Sequence, residues 1–350
     1  MDYLKYDNCY NAGQSGTPQI TYNRYKAMGD ALNATGRDIL YSLCNWGEDY
    51  PWKWANTIAN SWRISGDIFD TFDAPDVRCP CTGDQGYDCA LPGFHCSMMN
   101  ILNKVSSYVD KGFAGSWNDL DMLEVGNGGM SDTEYKTHFT MWAAVKSPLI
   151  LGNDITKMPA SALSIVTNPA VLAISQDPSG SAAVRRQRWY EPELNGTRTA
   201  EMQVWSGSLA HGDYLLILLN AGKSARNMNA TLADIFIYSG GARSDEAQSS
   251  WDLYDLWGNT MSNAQAAAII NANGTAAVGW NATVTGTYPF WNVTQRSYES
   301  GIGANDTALM GIRTGSVGAL GTVNAMVEGH GIMAWRMRMV QGPKRRRDEL

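Results

Sequence analysis

Short apolar runs alternate with amphipathic stretches through the first half of the chain, which is the pattern of β-α units built on a parallel sheet. DYLKYD (2–7) reads as a strand, and Thr17-Pro18 then opens a helix with a capping hydroxyl followed by proline at the first position. DILYSLCNW (38–46) is the second strand, and a Trp-rich helix near 51–62 leads to a short strand at 65–68. A cysteine-rich loop precedes a helix from about Ser97, and GSWNDLDML (115–123) holds the fourth strand. Ser131 and Glu134 have capping-box spacing and open a helix that runs to about Lys146, before a last strand in SPLILGND (147–154). After about Ser179 the pattern changes to apolar-polar alternation in EMQVWSG, DYLLILLN, WDLYDLW and GIMAWRM, the mark of an antiparallel sheet or sandwich.

Five strands with polar residues at their C-terminal ends point to a barrel mouth, where the loops after the strands converge, although a complete barrel has eight units in about 250 residues. The expected fold class is therefore α/β: the C-terminal five βα units of a (β/α)8 TIM barrel over 1–178, then an all-β antiparallel sandwich domain over 179–336 and a basic tail over 337–350.

Composition narrows the function classes. The 350 residues are 44% apolar and 17% charged, enough for a packed core, and the net charge of -7 argues against nucleic acid as a partner. Residues 336–350 carry six positive and two negative charges, so the rest of the chain carries -11. No apolar run approaches the ~20 residues of a membrane helix, so no membrane partner is expected. Seven Asn-x-Thr sequons, at Asn33, Asn195, Asn229, Asn273, Asn281, Asn292 and Asn305, predict a secreted glycoprotein, although no signal peptide opens the chain. Four of the six cysteines, Cys79, Cys81, Cys89 and Cys96, crowd one loop as a disulfide knot would, with a zinc site as the weaker rival. The C-terminal RDEL offers ER retention as a minor alternative to secretion, and homo-oligomerisation is left open.

Carboxylates at strand ends are the candidate chemistry: Asp7, Asp67, and Asp119 with Asp121. One aspartate after a strand is usually a cap or a turn, but three such positions flanked by aromatic residues suggest a pocket. Trp46, Trp62 and Trp117 offer flat faces on which a sugar stacks, with core packing as the plainer account. Lys5, two residues before Asp7, shares its face of the strand and can keep it ionised. GxSxG, Walker A and HExxH motifs are lacking, and the four histidines have no ligand spacing, so neither a metal nor a cofactor is expected. Two carboxylates between aromatic walls match glycoside hydrolysis.

The segments YLKYDNC, SLCNWG, NSWRISGDI, SWNDLDMLEVGN, KSPLILGNDI and ISQDPSG resemble family 27 of the glycoside hydrolases, the α-galactosidases or melibiases, of the fungal secreted type. That resemblance implies a (β/α)8 barrel and a β domain, with Asp7 as nucleophile and Asp67 as acid/base of a retaining reaction on α-galactoside oligo- or polysaccharides. It also implies that Lys5, Asn45, Trp46, Arg63 and Asp121 hold the sugar, with Trp46 crowding its 2-position against an acetamido group. An α-N-acetylgalactosaminidase is the disfavoured relative. Cys79–Cys96 and Cys81–Cys89 are the implied disulfides, and Cys9 matches a cysteine whose partner lies upstream. The resemblance further implies that the first three barrel strands, which grip the 4- and 6-hydroxyls, have no counterpart here. An inactive, poorly soluble chain is then expected, and a non-catalytic remnant or galactose-binding protein is the rival reading.

Overall fold

The structure, a computed structural model, describes residues 1–73, 96–192, 199–236, 244–271 and 291–340. Two compact units divide the chain, Met1–Val184 with Thr260–Trp291, and Arg185–Asn259 with Asn292–Leu350.

The first unit holds a four-stranded sheet in the order β1 (Tyr3–Asp7), β2 (Leu40–Cys44), β3 (Ser61–Arg63), β4 (Trp117–Asp119). Every pairing is parallel, with Asp7 opposite Cys44, Leu43 opposite Trp62 and Arg63 opposite Asp119. Side chains alternate across a strand, so this register gives the sheet two unlike faces. One carries Tyr41, Leu43 and Trp62, all buried. Against it lies helix α1 (Pro18–Ala34), whose Tyr25 meets Tyr6 edge-on at 5.3 Å and accepts the Tyr41 hydroxyl on its carbonyl at 3.0 Å. Thr17 caps this helix by accepting from the Ile20 N–H, as the Thr-Pro pair predicts. The other face carries Lys5, Asp7, Cys44, Arg63 and Asp119.

Helix α2 (Met98–Val105) starts at a capping box between Ser97 and Asn100, and α3 (Asp132–Ala144) at the expected one between Ser131 and Glu134. Two short helices follow, α4 (Ala160–Val166) and α5 (Pro169–Ser175).

Three elements differ from expectation. The Trp-rich helix near 51–62 is instead two single 3-10 turns, Pro51–Lys53 and Ala55–Thr57. Between them Trp54 leaves helical geometry (φ -142°, ψ -23°), and its indole N–H donates to the Asp49 carbonyl at 2.8 Å. The short strand expected at 65–68 lies earlier, at Ser61–Arg63, because the carbonyls of Ser65 and Gly66 turn towards the Arg63 guanidinium at 3.2 and 2.9 Å instead of a neighbouring strand. The strand expected at 147–154 reduces to one parallel bridge, Leu123 with Leu151. Here Pro148 has no N–H to give, and the Leu120 N–H is taken by the Ser147 hydroxyl at 3.0 Å.

The second unit is a β-sandwich. Six strands form a sheet in the order β10 (Ile312–Val317), β9 (Trp251–Asp255), β12 (Gly331–Met339), β7 (Tyr214–Asn220), β6 (Thr199–Ser208), β5 (Val184–Pro192), and β11 (Thr322–Val327) pairs with β8 (Arg226–Thr231) in a second sheet. Met202, Val204, Leu216, Leu218, Trp251 and Met337 from one sheet pack with Met228, Ala230, Val323 and Val327 from the other. Strand β12 runs past the expected boundary at Arg336, because Met337 pairs with Tyr214 and Leu253 and the Arg338 guanidinium meets Asp213 at 2.6 Å. Residues 337–339 thus belong to the sandwich sheet and not to the tail.

Residues 260–271, which the expected division at 178 would give to the β domain, fall in the first unit. There Met261 and Ala266 bury themselves with Ala160, Leu163 and Ile269. Sequon residues Asn33, Asn229, Asn292 and Asn305 are all exposed. Cys96 is disulfide-bonded. The pairings proposed for Cys79, Cys81 and Cys89 lie outside the described residues, as do Asn195, Asn273, Asn281 and the RDEL end. No helix among the described residues is long and apolar enough to cross a membrane.

Candidate active site

The polar face of the first sheet gathers the predicted residues in a row. At its C-terminal edge Asp7, Cys44, Arg63 and Asp119 stand side by side on four strands, and Lys5 lies two residues below Asp7, opposite Ser42. Asp7 accepts the Cys9 N–H on Oδ1 at 2.9 Å. Partial burial pushes its carboxyl up, but hydrogen bonds from Cys9, the Cys44 thiol and the Asn8 N–H prevail and hold it below the ordinary carboxylate range. Asp7 is thus kept ionised.

Asp67 lies four residues beyond β3 on an irregular segment, and 59% of its side chain is exposed. Arg63 reaches it from beneath, Nη2 to Oδ1 at 3.2 Å. The Asp67 carbonyl accepts the Cys96 N–H at 2.8 Å, and the Phe69 N–H returns to the Cys96 carbonyl at 2.9 Å. The disulfide-bonded Cys96 therefore anchors the segment that carries this carboxylate. The exposed Cys9 thiol is raised by its hydrogen bond to Asp7 first, with smaller contributions that include the charges of Asp7 and Asp67. Both carboxylates thus act on one point.

Arg63 and Asp121 sit below the surface. The Arg63 side chain is 2% exposed and the Asp121 side chain 5%, and they pair at 2.8 Å. Asp121 takes a left-handed backbone (φ 85°), receives the Ile68 and Met122 N–H groups at 2.8 Å each, and donates its own N–H to Asp119. Trp142 fixes the Asp121 carbonyl through its indole N–H at 2.9 Å. Burial pushes the Asp119 carboxyl up, with the Arg63 charge pulling against it. Both groups support the carboxylates from within the fold.

Asn45 and Trp46 lead the turn after β2. Asn45 is buried, donates to the Glu48 carbonyl at 2.6 Å, and its Oδ1 accepts no hydrogen bond. Trp46 is half-buried with φ 56°. The next residue must be glycine: at φ 78°, a Cβ on Gly47 would stand 2.1 Å from the Ile64 carbonyl oxygen. Asn8 holds Glu48 at 2.9 Å, and the Thr21 hydroxyl holds Asp49 at 2.5 Å. Both contacts pin the turn on the C-terminal side of Gly47.

Two aromatic candidates lie elsewhere. Trp62 is fully buried on the opposite face and donates to the Asn118 side chain at 2.9 Å, so it is core. Trp117 lines a cavity of about 690 Å3 with Tyr3, Leu40 and Ile150, at the N-terminal ends of the strands and away from the carboxylates. Cys44 and the anchors Glu48 and Asp49 escaped the sequence reading. Only the register beside Asp7 could have signalled Cys44. Among the described residues no group of three or more His, Cys, Asp or Glu side chains is placed to hold a metal ion.

A parallel sheet with carboxylates at its C-terminal edge, in a chain that continues into a β-sandwich, fits a glycoside hydrolase, and the relatives show that class. Residues 1–177 match the family described as alpha galactosidase A, and residues 199–279 its C-terminal beta sandwich domain. An α-galactosidase of Lachancea cidri is 52% identical over 339 residues, which cover 97% of this chain and 70% of that protein. The solved α-galactosidase of Saccharomyces cerevisiae, also determined with raffinose, superposes with a TM-score of 0.88 at 48% identity, over 97% of this chain and 73% of that one. That of Mortierella vinacea gives 0.71 at 43% identity, over 96% and 68%. The chain belongs to the α-galactosidase (melibiase) family, family 27 of the glycoside hydrolases.

Proposed function

We propose that this family member hydrolyses terminal α-linked galactose with retention of configuration, with Asp7 as nucleophile and Asp67 as acid/base. The observation that carries the reading is the unequal setting of the two carboxylates. Asp7 is held ionised by its hydrogen bonds, as a nucleophile must be. Asp67 stands exposed beside a guanidinium, where it can pass a proton to and from water. In the first step an Asp7 oxygen bonds to the anomeric carbon while the glycosidic carbon–oxygen bond breaks, and the leaving oxygen takes the proton of Asp67. In the second, Asp67 takes a proton from water, the water oxygen bonds to the anomeric carbon, and Asp7 leaves as carboxylate.

Lys5, the free Asn45 Oδ1 and Trp46 are the groups we assign to the sugar, with Arg63 and Asp121 holding Asp67's segment beneath it. A rigid Trp46 next to Gly47 disfavours a bulky acetamido group at the 2-position. The relative solved with raffinose supports galacto-oligosaccharides as substrates, and galactomannan, whose side groups are α-linked galactose, is the polymer proposed beside them. The consecutive parallel order β1-β2-β3-β4, extended by the Leu123–Leu151 bridge, supports five neighbouring units of a (β/α)8 barrel. Four exposed sequons support glycosylation and secretion.

The test is Asp7→Asn with a chromogenic α-galactoside and a fluorinated galactosyl inactivator. Turnover is expected to fall about 10^4-fold, and mass spectrometry should find the label on Asp7 of the parent. Label on another residue would overturn the assignment. Galactose binding without turnover or label would favour the binding-protein reading.

A further inference from the structure

Cys44 is a buried nucleophilic group with no part in the two-step reaction. Its exposure is 1%, and it sits in the row between Asp7 on β1 and Arg63 on β3. Arg63 Nη1 donates to its sulfur at 3.7 Å, and on its other side Cys44 stands in register with Asp7, whose side chain shares its face of the sheet. We propose that Cys44 is a positioning residue of the nucleophile: its sulfur takes a hydrogen bond from Arg63 and passes its own S–H to Asp7, fixing the carboxylate and coupling it to the guanidinium that holds Asp67.

The chemistry suits a thiol. Burial pushes the Cys44 thiol up to about 12, so it stays protonated and can only donate towards Asp7. Sulfur is a weak acceptor and a weak donor, so the link orients Asp7 while drawing off less of the electron density with which it attacks than a cation would. A lysine in this place would neutralise the carboxylate. The charged and titratable groups around Cys44 come from the other three strands and the neighbouring elements: Lys5 and Asp7 on β1, Arg63 on β3, Asp119 on β4, with Cys9, Asp67 and Asp121 beyond the strand ends and Lys104 on α2. Through this row Arg63 touches both carboxylates, Asp67 directly and Asp7 by way of sulfur.

The inference rests on Asp7 being the nucleophile, and its test separates the two. In protein labelled with 13C at the aspartate carboxyls, the Asp7 resonance is assigned by its loss in Asp7→Asn and titrated in the parent, Cys44→Ala and Cys44→Ser. Removing the donor in Cys44→Ala is expected to move the Asp7 titration up by about half a unit or more. Cys44→Ser, which keeps a donor in nearly the same volume, should restore most of the shift. The acid limb of kcat/KM should move with it, while KM changes little. An Asp7 titration identical in all three proteins overturns the proposal, and so does an equal shift in both variants, which would mark a packing effect. Failure of the inactivator to label Asp7 would overturn the nucleophile assignment instead and leave the titration result standing.

Discussion

Among the described residues each unit buries one arginine almost completely, Arg63 in the first and Arg336 in the second, and the surroundings of the two differ. Arg336 meets Asp213 at 2.9 Å, and Arg338 reaches the same carboxylate at 2.6 Å, so one anion is clasped by two cations. Around Arg63 the excess is reversed. Asp67, Asp119 and Asp121 surround it and Asp7 follows across Cys44, four carboxylates against Arg63, Lys5 and the buried Lys104. A closed, cation-rich knot holds strands together; an open, anion-rich row can stabilise a positive charge that arrives later. Glycoside hydrolysis passes through an oxocarbenium-like transition state, so the imbalance around Arg63 matches that chemistry.

Breaking the knot is the sharpest way to test this contrast. Asp213→Ala leaves two guanidinium groups facing each other, one of them fully buried, and should cost about 3–5 kcal/mol in urea unfolding. Adding Arg336→Met and Arg338→Met should recover most of the loss. In the protein that remains folded, kcat/KM is expected to stay within about twofold. A large fall in kcat/KM at full folding would tie the sandwich knot to the chemistry and end the contrast.

Gly47→Ala makes the opposite kind of damage. The new Cβ would collide with the Ile64 carbonyl in a left-handed backbone, at a cost of about 2–4 kcal/mol in unfolding. The turn must shift to relieve the clash, and Trp46 shifts with it. KM is therefore expected to rise more than in Asp213→Ala, even though the loss of stability is smaller. Equal KM in the two variants would detach Trp46 from the sugar.

The contrast was only half legible in the sequence. Asp7 and Asp67 stand at recognisable strand ends, and the caps at Thr17 and Ser131 follow from residue type and spacing alone. Cys44 was invisible because its role depends on which residue of β1 stands opposite, a matter of register and not of local pattern. Trp62 and Trp46 look alike in a string of letters, yet alternation sends one into the core and a left-handed turn brings the other to the sheet's edge. The short strand was misplaced by four residues because Arg63 draws in the Ser65 and Gly66 carbonyls, a tertiary contact that overrides β propensity. The return of 260–271 to the first unit depends on apolar partners a hundred residues away. The Asp213 knot likewise forms between residues more than a hundred positions apart.

His138 extends the comparison to pH. It lies fully buried against Trp142, its Nε2 accepts the Glu124 N–H at 3.0 Å, and its Nδ1 has no partner. Burial drives it from 6.5 down to about 3, so the folded state holds it neutral. Its folded value lies below its unfolded one; its stabilising effect is therefore complete above about pH 6.5 and is lost as pH falls from there towards 3, by about 1.4 kcal/mol per unit. Unfolding free energies from urea titrations at pH 6.5 and 5.0 should differ by about 1.6 kcal/mol more in the parent than in His138→Gln, whose carbonyl can still accept from Glu124. Parallel lines for the two proteins would show that His138 does not set acid stability.

Ser131 marks the smallest effect and isolates α3 from the chemistry it supports. Its hydroxyl accepts the Glu134 N–H at 3.3 Å, and Glu134 returns a carboxylate to the Ser131 N–H at 2.7 Å, so two helix-end donors are satisfied by one reciprocal pair. Ser131→Ala removes one of these bonds and should cost about 1 kcal/mol. The helix it opens carries His138, which fixes Glu124, and Trp142, which fixes the Asp121 carbonyl beneath Arg63. Those contacts lie two and three turns further along, where packing and not the cap holds the helix. Activity should therefore be unchanged while stability falls, and Ser131→Thr should restore the stability. A drop in kcat with Ser131→Ala would mean that fraying at the cap reaches Trp142, and that the anion-rich row depends on the helix end as well as on the sheet.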